Sequence, residues 1–322
     1  MVRGKKIEEH ILSASKIKTF EDCGWVYWAK YHLGLPDSAN EGSARGSICH
    51  MIFELLMVDR HKHHFDTITE NKGIEKSPSI QRLVWKHLRS YGFDSQENYD
   101  MINKMVYVGV NYDFFEEKGE LGEPEHAFVI ESKKHGYKIR GFIDKHAFYD
   151  KDTLVITDYK SSKGKFRGEE LHSNVQAMMY TLAGRKIRNK LKKIKVRFLF
   201  LRFPKAPIQE LEFTEDQIGG FEYYLGYLTD VVNNFDVNDA ASNFAADKPD
   251  KKWFCAAGKT WVCPLRDPFE YYALVDPDGY VISSSKNEKD LSLDSNFEIK
   301  KMVYQGCPRH HAIEPKEAIQ EA

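Results

Sequence analysis

Apolar residues recur along this chain in two rhythms, a helical one in the first third and a strand-like one after it. Ile17, Phe20, Trp25, Trp28 and Tyr31 fall at helical spacings. They predict a helix that opens at Ser13 or Ser15 as N-cap, runs to about Leu33 and is stopped by Gly34 and Pro36. Small residues from Gly42 to Gly46 then lead into the apolar helix that carries His50 and ends near Leu56. Such a start lets a helix N-terminus approach another backbone or an anion. Between 78 and 117, Ile80, Leu83, Val84 and Leu88, then Met101, Met105, Val106, Val108 and Phe115, predict helix broken near Gly92, Asp94 and Ser95.

The rhythm changes at Glu123, where Glu123–Ile130 reads as the start of a sheet. A strand is expected from about Tyr137 to Tyr149, a polar turn at Asp150–Thr153, and a short β-branched strand at Leu154–Thr157. That strand ends in Asp158-Tyr159-Lys160 and breaks at Ser161–Gly164. Residues 166–184 predict a helix, 196–201 and 208–213 two more strands, and 214–234 another helix. The whole is an α/β pattern, with residues 276–322 expected to form an appended hairpin and polar tail.

Composition narrows the class. The chain has 322 residues, 42% hydrophobic and 30% charged, a globular balance with room for a sizeable core. No apolar run approaches the roughly 20 residues needed to span a bilayer, and the opening residues lack a signal-like apolar stretch, so a cytoplasmic protein without a membrane partner is expected. Net charge is −1, so attraction to nucleic acid has to be local. The densest local charge is Arg185–Arg197, with eight basic residues and no acid. Arg185, Lys186, Arg188, Lys190, Lys192 and Lys193, with Lys163 and Lys165 nearer the strand end, are candidates to contact a phosphate backbone. A solvated loop is the other reading of such a run. Five cysteines in a reducing compartment point to free thiols or metal ligands.

The candidate chemistry lies at the end of the β-branched strand. Alternation puts Asp158 and Lys160 on one side, and Asp144, on the neighbouring strand, can bring a second carboxylate to the same edge. Two converging carboxylates repel unless a proton or cation sits between them, and hard oxygen ligands suit Mg2+ or Mn2+. Lysine beside such an ion can orient water and offset charge on phosphate. Glu125 could add a third carboxylate or simply cap its strand. Gln176 and Tyr180, four apart, share a helix face that is more polar than a core stripe. The His61-Lys-His-His64 run reads as a surface connection with weak metal potential.

Taken in order, Leu12-Ser-Ala-Ser with an aromatic helix bearing Cys23, then Gly46-x3-His50, Gly141-Phe-Ile-Asp144, Asp158-Tyr-Lys160 and Gln176-x3-Tyr180 resemble the RecB-like exonuclease branch of the PD-(D/E)XK nuclease superfamily. The resemblance covers about residues 11–270. It implies a restriction-endonuclease-like mixed sheet flanked by helices, and metal-dependent hydrolysis of DNA, often from an end, in recombination, repair or phage DNA metabolism. It also implies His50, Asp144 and Asp158 as metal ligands with the Tyr159 carbonyl, Lys160 as the group that positions and activates water, and Gln176 and Tyr180 as supports for the site and the DNA strand. On that basis residues 1–275 form the nuclease domain, with a helical part at about 43–120 and a catalytic sheet core at about 121–235, and 276–322 an extension. Some members carry a [4Fe-4S] cluster on one early cysteine and three late ones spaced C-x2-C-x5-C. Cys23 and Cys263 match in place, Cys255 is differently spaced, Phe269 stands where the last cysteine would, and Cys307 could substitute. Zinc or plain packing are the alternatives for these thiols. Competing functions are a non-cutting DNA-binding module serving a helicase or recombinase, and a structure-specific endonuclease.

Overall fold

The computed structural model describes residues 2–6, 9–37, 40–188, 191–255, 263–292 and 296–322. In chain order its elements begin with helices α1 (Ala14–Asp22), α2 (Gly24–Tyr31), α3 (Glu41–Leu56), α4 (His63–Asn71), α5 (Pro78–Tyr91) and α6 (Gln96–Val110). Strands β1 (Glu120–Leu121), β2 (His126–Ser132), β3 (Tyr137–Ile143), β4 (Lys145–Phe148) and β5 (Thr153–Lys160) follow, then α7 (Val175–Ile187), β6 (Lys193–Phe200), β7 (Ile208–Leu211) and α8 (Glu215–Asn233). The chain continues through α9 (Val237–Ala241), α10 (Lys252–Cys255), β8 (Phe269–Val275), β9 (Val281–Ser285), β10 (Glu298–Tyr304) and β11 (Ile319–Glu321).

These elements divide into two compact units, one of residues 39–132 with 139–224 and one of residues 1–38, 133–138 and 225–322. The expected division at 275 instead falls inside the C-terminal sheet, because β8 pairs with β9 and β10. Residues 225–322 group with residues 1–38, and an association of segments so far apart in sequence leaves no mark in composition.

The unit of residues 39–132 and 139–224 contains a helical subdomain and a five-stranded mixed sheet in the order β1-β4-β5-β6-β7. In the helical part, α3 to α6 bury Ile52, Phe53, Leu56, Ile68, Val84, Leu88, Ile102 and Val106 in one core, of which the spacing picks out Val84, Leu88 and Val106. Asn40 caps α3 through its side chain, reciprocally with Ser43. Strands β4 and β5 form an antiparallel hairpin, β5 and β6 run parallel, and β6 and β7 are antiparallel. Parallel neighbours need a crossover, and α7 supplies it. Its buried Ala177, Ala183 and Gly184 let the helix lie close on the sheet.

One expected strand is divided. The stretch Tyr137–Tyr149 is not continuous: β3 ends at Ile143, Asp144 adopts a bend, and β4 begins at Lys145. β3 pairs with β2 in a separate two-stranded ribbon, whereas β4 joins the main sheet. The aspartate at the break belongs to neither ladder, which leaves its side chain available.

In the other unit, the predicted helix to Leu33 is interrupted at Cys23, whose extended backbone (φ −158°) ends α1 and starts α2. Ser13 caps α1 as expected. The C-terminal segment forms more than a hairpin, an antiparallel sheet ordered β11-β10-β8-β9. Trp25 donates to the Tyr304 hydroxyl (2.8 Å), which donates to the Leu265 carbonyl (3.0 Å), tying helix α2 to β10.

Candidate metal and catalytic centre

Five elements of the sheet-containing unit converge at the C-terminal end of β5. α3 contributes His50, the turn before β2 contributes Glu125, the β3–β4 break contributes Asp144, β5 contributes Asp158, Tyr159 and Lys160, and α7 contributes Gln176 and Tyr180. Close approach of α3 depends on Gly46: a Cβ there would stand 2.7 Å from Ser161 Oγ, just beyond the end of β5.

The ligand atoms of His50, Glu125 and Asp144 all lie within 4.8 Å of one another, the one such convergence of His, Cys, Asp or Glu side chains among the described residues. Asp144 Oδ2 accepts the Tyr159 backbone N–H (2.8 Å) and lies 3.3 Å from His50 Nδ1. The other imidazole nitrogen, Nε2, is 2.9 Å from the Tyr159 carbonyl. Glu125 is held by its backbone N–H, which donates to the Asp144 carbonyl (3.1 Å). It takes a left-handed φ of 51°, a conformation that costs a carboxylate side chain about 1 kcal/mol or more and tends to persist at working sites.

Asp158 sits one step deeper, almost fully buried. Its Oδ2 is 2.7 Å from Lys160 Nζ, and its Oδ1 accepts from Gln176 Nε2 (2.8 Å) and the Tyr180 hydroxyl (2.9 Å). Gln176 also accepts the Lys160 ammonium at Oε1 (2.6 Å), so the amide bridges acid and base. Alternation along β5 does place Asp158 and Lys160 on one side, as the D-x-K spacing requires.

The charges do not balance. Asp144, Asp158 and Glu125 face Lys160 and His50. Burial pushes the Glu125 carboxyl up to about 7, helped by the Asp144 charge. Burial also raises Asp158, against the pull of Lys160 and with the push of Asp144. His50 would be lowered by burial, but its bond to Asp144 and the neighbouring carboxylates raise it to about 9. A proton is held where the carboxylates would otherwise repel, the condition that a cation relieves. Two carboxylates, one imidazole and a nearby carbonyl suit a hard divalent ion such as Mg2+ or Mn2+, so the donor set fits.

The sequence profile of the PD-(D/E)XK nuclease superfamily matches residues 11–267, most of the chain. The chain belongs to the PD-(D/E)XK nuclease superfamily. Similar proteins include one subunit of the ATP-dependent helicase/deoxyribonuclease of Streptococcus mutans serotype c, 26% identical over 185 residues, covering 53% of this chain and 16% of that one. Its counterpart in Streptococcus agalactiae serotype III is 23% identical over 215 residues, covering 64% of this chain and 20% of that one. The chain therefore spans about a fifth or less of the length of these relatives. A solved Eubacterium rectale protein, described as a candidate exonuclease, aligns at 11% identity and TM-score 0.47, covering 77% of this chain and 90% of its own.

Within this PD-(D/E)XK unit the sequence-derived residues His50, Asp144, Asp158, Tyr159, Lys160, Gln176 and Tyr180 come together, and Glu125 joins them. The single signal for Glu125 was an acid just ahead of a strand. The basic segment lies elsewhere. Lys193 opens β6 opposite Thr153, at the far end of the strand pair from Asp158 and Lys160. Arg185 pairs with Glu215, Arg188 with Glu120, Lys192 with Asp152 and Lys193 with Glu212. Lys186 is exposed, and Lys190 lies outside the described residues. Lys165 donates to the Ala206 carbonyl, while Lys163 is exposed in the loop after the catalytic strand.

In the other unit Cys23, Cys263 and Cys307 are buried and Cys255 is half-buried. Cys23 lies near enough to the other three to raise their pKa values. Burial first and then the neighbouring thiols raise Cys263 to about 11 and Cys307 to about 12. Residues 256–262 between Cys255 and Cys263 lie outside the described residues. Among the described residues no three of these sulfurs approach within 4.8 Å of one another.

Proposed function

We propose that the protein is a divalent-metal-dependent deoxyribonuclease that hydrolyses phosphodiester bonds from DNA ends in recombination, repair or phage DNA metabolism, in concert with a helicase. The observation that carries it is the convergence of His50, Glu125 and Asp144 beside the Asp158–Lys160 ion pair. His50, Glu125 and Asp144 would hold the ion, with the Tyr159 carbonyl and Asp158 next to it. When bound, the ion supplies Lewis-acid activation of water and neutralises phosphate charge.

The rest of the chemistry belongs to the chain's own side chains. Asp158 and Gln176 hold the Lys160 side chain in place, where it can orient the attacking water and offset charge that builds on the phosphate oxygens. Tyr180 fixes Asp158 by donating its hydroxyl, and Gln176 sets the Lys160 position from the other side. Among the described residues no helix is long and apolar enough to cross a membrane.

The test is cleavage of end-labelled single-stranded and duplex DNA with Mg2+, with Mn2+ and with EDTA, alongside substrates blocked at either end. Cleavage that needs the metal and a free end is the expected result. Cutting of circular DNA would convert the reading to an endonuclease, and DNA binding without cutting to a binding module for a helicase partner.

A second site is favoured by the thiols. Cys23, Cys255, Cys263 and Cys307 come from positions spread over most of the chain, yet all four fall in one compact unit and three of them are buried. We infer that they ligate an iron–sulfur cluster in the cell, with Cys307 as the fourth thiolate in place of the residue at Phe269. Iron and acid-labile sulfide in anaerobically purified protein, with absorbance near 400 nm lost in Cys307→Ser, is the expected outcome. Stoichiometric zinc would replace the reading.

A further inference from the structure

The ribbon β2–β3 buries one face and exposes the other. Phe128, Ile130, Ile139 and Ile143 point inward, and Phe128 lies 6.3 Å from Tyr180 of the catalytic network, ring centre to ring centre. Gly141 makes this packing possible, since a Cβ there would stand 2.6 Å from the Phe128 ring. The outward face instead carries Val129 and Phe142, 62% and 61% exposed, with exposed Arg140 beside them and Glu131 toward the far end. Two large apolar side chains this exposed on one face of a short ribbon suggest a contact surface.

Its position says what the contact is. Phe142 precedes Asp144 by two residues, so its backbone is only ~6.6 Å from that of a metal-site carboxylate. A phosphate seated at His50, Glu125 and Asp144 brings the flanking nucleotide onto this face. An aromatic ring stacks on any base, and an exposed guanidinium meets the next phosphate. Glu131, at the far end, would repel a strand that ran further along the ribbon.

We propose that the outer face of the β2–β3 ribbon is a platform for the nucleic-acid strand being cut, with Phe142 stacking on the base next to the scissile phosphate and Arg140 contacting the adjoining backbone. This rests on the nuclease reading above and adds where the strand lies. Phe142 positions the substrate and takes no part in proton transfer.

The experiment separates base stacking from chemistry and from folding. In a Lys160→Ala background, which binds without cutting, Phe142→Ala should weaken binding of a twenty-nucleotide single strand about five- to hundredfold. Phe142→Trp should restore it and Phe142→Leu should not. With Lys160 intact, Phe142→Ala should hydrolyse the base-free diester of a strand that is abasic on both sides of the scissile phosphate at the unaltered rate, and its melting temperature should be unchanged. An abasic residue walked along the strand should reproduce the loss at one position, with no further loss there in Phe142→Ala. Normal DNA binding by Phe142→Ala, rescue by Leu, or additive losses would overturn the platform and leave the patch to a protein partner. A parent protein that cleaves neither diester nor DNA with Mg2+ or Mn2+ would overturn the nuclease reading with it.

Discussion

Two clusters of buried charge flank the same strands, and they are built from the same parts to opposite ends. In one, Lys145 Nζ meets Glu116 Oε1 at 2.9 Å, Arg197 Nη1 reaches Glu116 at 3.3 Å, and Arg197 Nε reaches Glu210 at 3.0 Å. Tyr149 donates to Glu116, and the Lys145 ammonium also donates to the Phe114 carbonyl at 3.0 Å. Both anions are met by cations, Glu210 by Lys195 as well (3.2 Å), and the side chains of Lys145 and Glu116 are 2% and 1% exposed. In the other, Asp158, Lys160, Gln176 and Tyr180 form an equally tight network, but Asp144 and Glu125 add two carboxylates that meet a single imidazole, His50. Asp144 and Lys145 are sequence neighbours at the strand break, one serving each cluster. The lesson is that burial and hydrogen bonding do not distinguish structure from chemistry; unbalanced charge with an open side does.

The largest expected effect breaks the open cluster. Lys160→Ala should lower DNA cleavage by roughly 10²- to 10³-fold, and Asp158→Asn should do the same while both proteins stay folded. Gel assays with circular dichroism would check this, and full activity in either variant would refute the assignment. Next comes the closed cluster. Glu116→Ala leaves Lys145 buried without its partner and should cost about 3–5 kcal/mol, seen as a lower urea midpoint, with cleavage per folded molecule retained. Changing Lys145 to Met and Glu116 to Leu together should recover much of the loss.

The open cluster should also respond to pH and metal. His50 rises from 6.5 to about 9 on folding, so its stabilisation is complete below about 6.5 and is lost as pH climbs through 9. Glu125 rises from 4.5 to about 7, so the folded state holds a proton that the unfolded state has lost, and stability falls as pH climbs through that interval. Metal-free protein should therefore melt at progressively lower temperature between pH 5 and 9. Mn2+ needs both groups deprotonated, so the melting increment it gives should grow with pH and shrink in Glu125→Gln. The smallest effect is expected at the paired basic segment. Lys193→Ala should change cleavage less than about twofold, because its charge is already met by Glu212. A large loss would return that segment to the DNA path.

Much of the centre could be read from the chain. Local periodicity put Asp158 with Lys160, and Gln176 with Tyr180, on common faces; the family resemblance joined them with His50 in one site. The placement of the ribbon and the role of Glu125 did not follow, because a strand break at one bend looks, in sequence, like continued alternation. The pairing of the basic run was hidden for a related reason. Its acids, Glu120, Asp152, Glu212 and Glu215, sit on other elements and are invisible to a count along the segment.

Sequence alone therefore determined the local chemistry: which residues could ionise, which side of a strand or helix they share, and which stretches could be buried, since backbone geometry repeats every two or 3.6 residues. Tertiary structure alone decided which charges remain uncompensated. That depends on Coulomb forces between groups brought within a few ångströms from distant parts of the chain, as His50, Glu125 and Asp144 are.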